Sequence, residues 1–105
     1  MTSIVIGVDS GGTCTRVMVA DESGQALVSI EGPGGAISVG GVEHSADVIA
    51  ATVKEALAAC KMPDVMPKVL CVGVAGVGRE PEREGLWQAL IARECAEDVL
   101  VHTDA

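Results

Sequence analysis

IVIGVDSGGTCTRVMVAD, residues 4–21, sets two adjacent glycines between two runs rich in Val and Ile, and its reading decides the fold. β-Branched residues on both sides of Gly11–Gly12 predict two strands, 3–9 and 15–20, joined by a tight hairpin. The hairpin itself, DSGGTCT at 9–15, has the chemistry of an anion cradle. Glycines turn sharply and leave backbone N–H groups unshielded, so a phosphate can approach them closely. Thr13 and Thr15 alternate along the outgoing strand, which predicts that both hydroxyls share a face and donate to phosphate oxygens, with Cys14 turned away as a core thiol. Asp9 closes the incoming strand, where a carboxylate can hold a hydrated magnesium ion beside those phosphates. An ordinary hairpin would use the glycines for turn geometry and the threonines for strand propensity alone. The full pattern D-x-G-G-T-x-T between two strands favours a ligand.

Working outward, ALVSIEG at 26–32 reads as a third strand entered through the turn DESG at 21–24, which completes an antiparallel meander. GPGGAISVGG at 32–41 reads as a glycine-rich loop. Val42, Ala46, Ile49, Val53, Ala56, Leu57 and Cys60 then recur at helical spacing, predicting a helix from about Val42 to Lys61 that stops before Pro63. KVLCVGVAG at 68–76 is the continuous apolar run of a strand buried on both faces. Pro81 opens a second helix, with Glu80, Glu82 and Glu84 at its positive end and Leu86, Leu90 and the Trp87/Ile91 pair on its inner face. DVLVHTD at 98–104 closes the pattern as a short strand. The order β-β-β-α-β-α-β is that of an antiparallel sheet extended by parallel strands through helical crossovers: an α/β fold of the ribonuclease-H-like kind. No internal repeat or linker interrupts it.

Bulk properties narrow the function. At 105 residues the chain makes one domain. Its net charge is -8 and its seven basic residues are scattered, so nucleic acid has no electrostatic footprint here. Trp87 is the single aromatic residue, which leaves no stacking platform for a single strand either. The four cysteines show no metal-site spacing and read as free thiols in a reducing cytosol. The apolar N-terminal stretch breaks at Asp9 and lacks a basic leader, so neither a signal peptide nor a membrane span is expected, and the location expected is cytoplasmic. Hydrophobic residues make up 49% of a chain with no Phe or Tyr, more than a small domain hides alone. A covering surface is expected, from a second copy in a homodimer or from a further lobe.

Two other nucleotide motifs fail on spacing. GVAGVGRE at 73–80 approaches the Walker pattern, but Arg79 replaces its lysine and Glu80 its hydroxyl. No GxGxxG follows a strand and opens a helix, so a dinucleotide fold is not expected. His44 reads as a solvated helix residue, His102 as a strand residue and Trp87 as core.

With these residues in view, VIGVDSGGTCTRVMVAD resembles the first phosphate motif of the superfamily of actin, sugar kinases and heat-shock chaperones. VLVHTDA resembles the strand that ends in the catalytic aspartate of its N-acetylglucosamine kinase and BadF/BadG/BcrA/BcrD ATPase branch, and VGVAGVGRE falls between the two, as that branch's strand and sugar-side loop do. The resemblance implies that Gly11, Gly12 and Thr13, with Thr15, contact the phosphates of ATP. It implies that Asp104 is the general base for a sugar hydroxyl, with Thr103 beside it, and that Gly35 and Gly76 line the sugar side. Relatives carry an asparagine near the loop where Gly35 and Ala36 stand here. ATP, magnesium and a small sugar are the implied cofactors and substrate, with no nucleic-acid or membrane partner. Residues 1–105 then correspond to an N-terminal lobe, the second phosphate motif and the adenosine pocket belonging to a following lobe. The implied activity is transfer of the γ-phosphoryl of ATP to an amino-sugar hydroxyl, which the lobe alone would not perform. Two alternatives differ in class. One is an ATPase that energises a dehydratase through an iron–sulfur cluster, for which no cysteine pair here has the spacing. The other is a non-catalytic sugar-sensing regulator domain, for which no DNA-binding helix pair precedes the hairpin.

Overall fold

A computed structural model describes residues 3–34, 37–74 and 80–103. Its elements are β1 (Ile4–Ser10), β2 (Cys14–Asp21), β3 (Ala26–Pro33), α1 (Ile37–Ala59), β4 (Val69–Val74), α2 (Glu80–Ala92) and β5 (Asp98–Thr103). The five strands form one sheet in the order β3-β2-β1-β4-β5, so the strand carrying the opening motif lies at its centre. β1 and β2 pair antiparallel, as do β2 and β3, while β4 joins β1 and β5 joins β4 in parallel. The mixed α/β architecture expected from the element order is the one found.

Alternation along the strands sorts side chains between two unlike faces. Ile4, Ile6 and Val8 of β1, Val17 and Val19 of β2, Leu70, Val72 and Val74 of β4 and Val99 of β5 point inward and are buried. Against them pack Ala46, Ile49, Val53, Ala56 and Leu57 of α1 and Leu86, Ala89 and Leu90 of α2. Both helices cover this one face because β3 to β4 and β4 to β5 are crossovers running the same way, and right-handed crossovers in one direction fall on one side. On the other face, among the described residues, Gly7, Asp9, Arg16, Met18, Leu100 and His102 are exposed. The expectation that β4 is buried on both faces therefore holds for one: Val69 and Cys71, on the far face, are half-buried.

Two sequence expectations are corrected. The helix begins before Val42: residues 37–40 already form a turn, and the chain breaks at Gly41 (φ 84, ψ 178) before continuing to Ala59. Only glycine adopts that left-handed conformation without a steric cost, so GG at 40–41 is a joint between two helical pieces. On α2, Trp87 and Ile91 are each 37% exposed and flank the buried face. The Trp87 indole instead lies along β5 and donates to the Val99 carbonyl oxygen at 2.8 Å. The cysteines are free thiols, all half-buried. Burial pushes the Cys95 thiol up, against the opposing pull of Arg93 and Lys54.

Arg93 ties the end of α2 to α1. Its guanidinium donates to Asp47 at 2.8 and 3.1 Å, to Glu43 at 2.9 Å and to the Ala89 carbonyl at 2.8 Å. The hydrogen bonds it donates to Glu43 and then to Asp47 hold the guanidinium further toward its charged form. No described helix is long and apolar enough to cross a membrane.

Candidate functional site

β1, β3, β4 and β5 run in the same direction, so the segments that follow them leave from one end of the sheet. Ser10, Val74 and Thr103 lie side by side at that end, and Cys14 is opposite Pro33. The hairpin at 11–13 and the ends of β1, β3, β4 and β5 therefore share one edge, the position where open α/β sheets bind ligands. Four widely spaced stretches of sequence converge through topology alone. Gly35, Gly76 and Asp104 themselves lie outside the described residues.

Within the hairpin the Gly11 N–H donates to the Cys14 carbonyl at 2.9 Å and closes the loop. Neither Gly11 nor Gly12 has a left-handed φ; among described glycines only Gly24 and Gly41 do. Turn geometry therefore does not demand glycine at these positions, contrary to the sequence expectation. A Cβ on Gly11 would sit 3.6 Å from the Cys14 carbonyl, an ordinary contact, and one on Gly12 would meet nothing within 4 Å. The vacant side of Gly12 faces open space, which a side chain would fill and an anion can use. Behind the hairpin the space is closed instead: a Cβ on Gly34 would run into the Gly12 carbonyl.

The two threonines separate. Thr13 lies in the turn and is exposed. Thr15 is 0% exposed, on the inward row with Val17 and Val19. Its hydroxyl meets Ser10 Oγ, also fully buried, at 2.8 Å. The two hydroxyls thus do not share a face. Strand alternation begins only at Cys14, so Thr13 falls outside it and Thr15 takes the inward parity set by Ser10, its partner across the ladder. Thr13 is exposed in the turn, and Thr15 braces its base through Ser10. Cys14, on the outward parity, is half-buried.

Asp9 ends the outward row of β1 and is exposed, with Arg16 of β2 on one side and Gly73 of β4 on the other. Arg16 leans the other way, 3.9 Å from Glu31. An exposed carboxylate beside unshielded backbone amides supplies the hard oxygen ligand that magnesium takes, and the open side of Gly12 gives its phosphates room, so the residues fit the group. No cluster of three or more metal-binding side chains occurs among the described residues. The sequence reading missed Ser10 and Gly34. Ser10 could have been found from strand parity, but the approach of Gly34 depends on where β3 ends relative to the turn.

The sequence matches the BadF/BadG/BcrA/BcrD ATPase family over residues 6–105. Among solved structures, it resembles a Chromobacterium violaceum protein provisionally named an N-acetylglucosamine kinase, with 25% identity and a TM-score of 0.76 over 97% of this chain and 35% of that one. A Porphyromonas gingivalis protein with the same provisional name matches at 18% identity and a TM-score of 0.65, over 95% of this chain and 34% of that one. The PPX-GPPA enzyme of Aquifex aeolicus shares the fold at 17% identity and a TM-score of 0.55, over 98% of this chain and 36% of that one. The chain thus spans about a third of the length of these structures. No curated protein matches the sequence.

Proposed function

The chain belongs to the BadF/BadG/BcrA/BcrD ATPase family, and on that premise we propose that it is the phosphate-binding N-terminal lobe of an ATP-dependent amino-sugar kinase. The observation that carries this reading is the hairpin at the end of the central strand, with Gly12 open on its outward side, Thr13 exposed and Asp9 beside them. Phosphoryl transfer needs little covalent help from a protein beyond cradling the phosphates, neutralising their charge and orienting the attacking oxygen.

In this reading the amides of Gly12 and Thr13 and the Thr13 hydroxyl hold phosphate oxygens, while Thr15 keeps the turn in place through Ser10. Asp9 holds a hydrated magnesium ion, which when bound supplies charge neutralisation at the phosphates. Asp104, the residue after β5, takes the proton from the sugar hydroxyl, with Thr103, Gly35 and Gly76 on the sugar side. The remainder of the nucleotide site comes from a further lobe, which also covers the helix-free face carrying Met18 (44% exposed) and Leu100 (55%). Similarity to structures named for N-acetylglucosamine kinase supports an amino sugar as the acceptor.

The test is kinetic, in a protein that carries this lobe together with the rest of its enzyme. Thr13→Val should raise the Michaelis constant for ATP about 5- to 150-fold, the equivalent of about 1–3 kcal/mol for a hydroxyl bonded to a charged oxygen, and leave sugar affinity alone. Unchanged ATP kinetics would return the hairpin to a purely structural role. ATP turnover that N-acetylglucosamine and glucosamine do not stimulate would favour an ATPase over a kinase.

A further inference from the structure

A cavity of about 520 Å³ opens between α1, the chain 63–67 that leads into β4 and the turn 93–95 that leads into β5. Both of those segments enter their strands, so the cavity lies at the end of the sheet opposite the hairpin edge. α1 lines it with two alanines, Ala50 and Ala51, and Pro63 and Pro67 stiffen the chain across from them, so the gap stays unfilled. Val53, Leu57 and Pro67 are buried behind it and make its deep wall apolar. Met66, an unbranched apolar side chain, lines it as well and is 48% exposed. The size falls within the ~300–1,000 Å³ of small-molecule sites, which combine apolar walls with a few polar groups.

Those polar groups are unequal. Asp47 is taken, because it accepts two hydrogen bonds from Arg93 at 2.8 and 3.1 Å, and the same guanidinium is shared with Glu43 and the Ala89 carbonyl. Lys54 lies two turns along α1 from Asp47 on the same side of the helix. Among the described residues its ammonium has neither an ion pair nor a hydrogen bond. Asp64 and Glu94 also line the cavity and are exposed. The charges that act on the Cys95 thiol in its wall are nonetheless those of Arg93 and Lys54, both positive. An apolar hollow with one unclaimed cation beside it is complementary to an apolar body that ends in a single negative charge. We propose that this cavity binds a small apolar carboxylate, its tail against Leu57, Val65 and Pro67 and its head on the Lys54 ammonium. Such a ligand gains by taking its tail out of water, while Lys54, being exposed, lets the carboxylate stay hydrated on one side. The site shares no residue with the phosphate edge.

The experiment is a titration of the isotopically labelled chain with sodium hexanoate, followed by amide chemical shifts, with hexylamine as the cationic counterpart and a dilution series without ligand. Hexanoate should move the amides of Ala50, Lys54, Val65, Met66 and Cys95 saturably and leave those of Gly11 to Thr13 in place. Hexylamine should not saturate the same shifts. Lys54→Gln should weaken hexanoate about tenfold, the low end for a hydrogen bond to a charged group because Lys54 is exposed. Lys61→Gln, which removes a cation outside the cavity, should change nothing. Ala50→Leu fills the hollow and should abolish the shifts; where that variant unfolds, the exposed Lys54 position decides. Hexanoate that moves none of the five amides, that binds equally well to the Lys54 variant, or that hexylamine matches overturns the proposal. Shifts at the same amides that track chain concentration without ligand would give the cavity to a second copy of the chain, and overturn it too.

Discussion

Thr15→Val isolates one hydrogen bond at the root of the hairpin. Valine replaces the Thr15 hydroxyl by a methyl group of nearly equal size, so packing against Val17 is kept and the 2.8 Å contact with Ser10 Oγ is lost. Every buried polar side-chain atom among the described residues has a partner in the native chain, so the variant creates an orphan where none existed. Ser10 is fully buried, and water does not reach its hydroxyl in compensation. The cost of such an orphan is about 1–3 kcal/mol. For a domain of this size it lowers the melting temperature by roughly 4–8 °C per kcal/mol. Ser10→Ala should cost a similar amount by orphaning Thr15. The double variant Ser10→Ala/Thr15→Val has neither hydroxyl and should cost no more than one single variant does, giving a coupling of about 1–3 kcal/mol, within the range for residues in direct contact. Urea unfolding followed by circular dichroism measures all four species at constant slope. Two neutral single variants, or a double variant equal to the sum of the singles, would refute the reasoning.

Gly34→Ala drives a methyl group into the Gly12 carbonyl and should destabilise by about 1–3 kcal/mol as overpacking does, with the largest amide shifts at Gly11 to Thr13; a shift pattern confined to residues near 34 would contradict it. Lys61 and Glu94 follow α1 and α2 with φ of 63 and 52, a conformation that costs an L-residue about 1–2 kcal/mol. Lys61→Gly should therefore raise stability by about 0.5–1 kcal/mol in urea unfolding, the relief being partly offset by glycine's greater chain entropy. The Asp21 carboxyl is held below its ordinary value of 3.8, first by the Ser23 hydroxyl and then by the Gln25 amide. Because its folded value is the lower one, its contribution is complete above the unfolded value and disappears as pH falls through the folded one. The stability gap between wild type and Asp21→Asn, measured at pH 6, should close as pH drops below 3.8.

The strand pattern was legible because it is local. Alternation in β1 and β2 follows from neighbours along the chain, and the bounds of those strands fall within one residue or so of the sequence reading. α2's buried stripe was only half legible: Leu86 and Leu90 point inward as their spacing requires, but Trp87 is turned outward by a hydrogen-bond partner twelve residues ahead. The early start of α1 was hidden because four glycines between 34 and 41 argue for a loop, and only the left-handed backbone at Gly41 shows that one of them is a joint. In the site, Asp9 could be placed near the end of β1 from spacing. Thr13 and Thr15 could not be placed relative to each other, because parity depends on where alternation resumes after the turn. The approach of the His102 ring to Gly73 depends on β4 and β5 being in register and had no signal in the sequence at all.

β5 lies at a margin of the sheet, and a strand so placed offers its unpaired backbone to any other extended chain. At Val99 that offer is withdrawn twice: the carbonyl is taken by the Trp87 indole, and the amide by the Asp98 carboxylate at 3.1 Å. An incoming strand would have to displace both before its first rung could form. The single aromatic residue of the chain thus works as a guard against misassembly, at the start of the strand from which zipping with another molecule would begin.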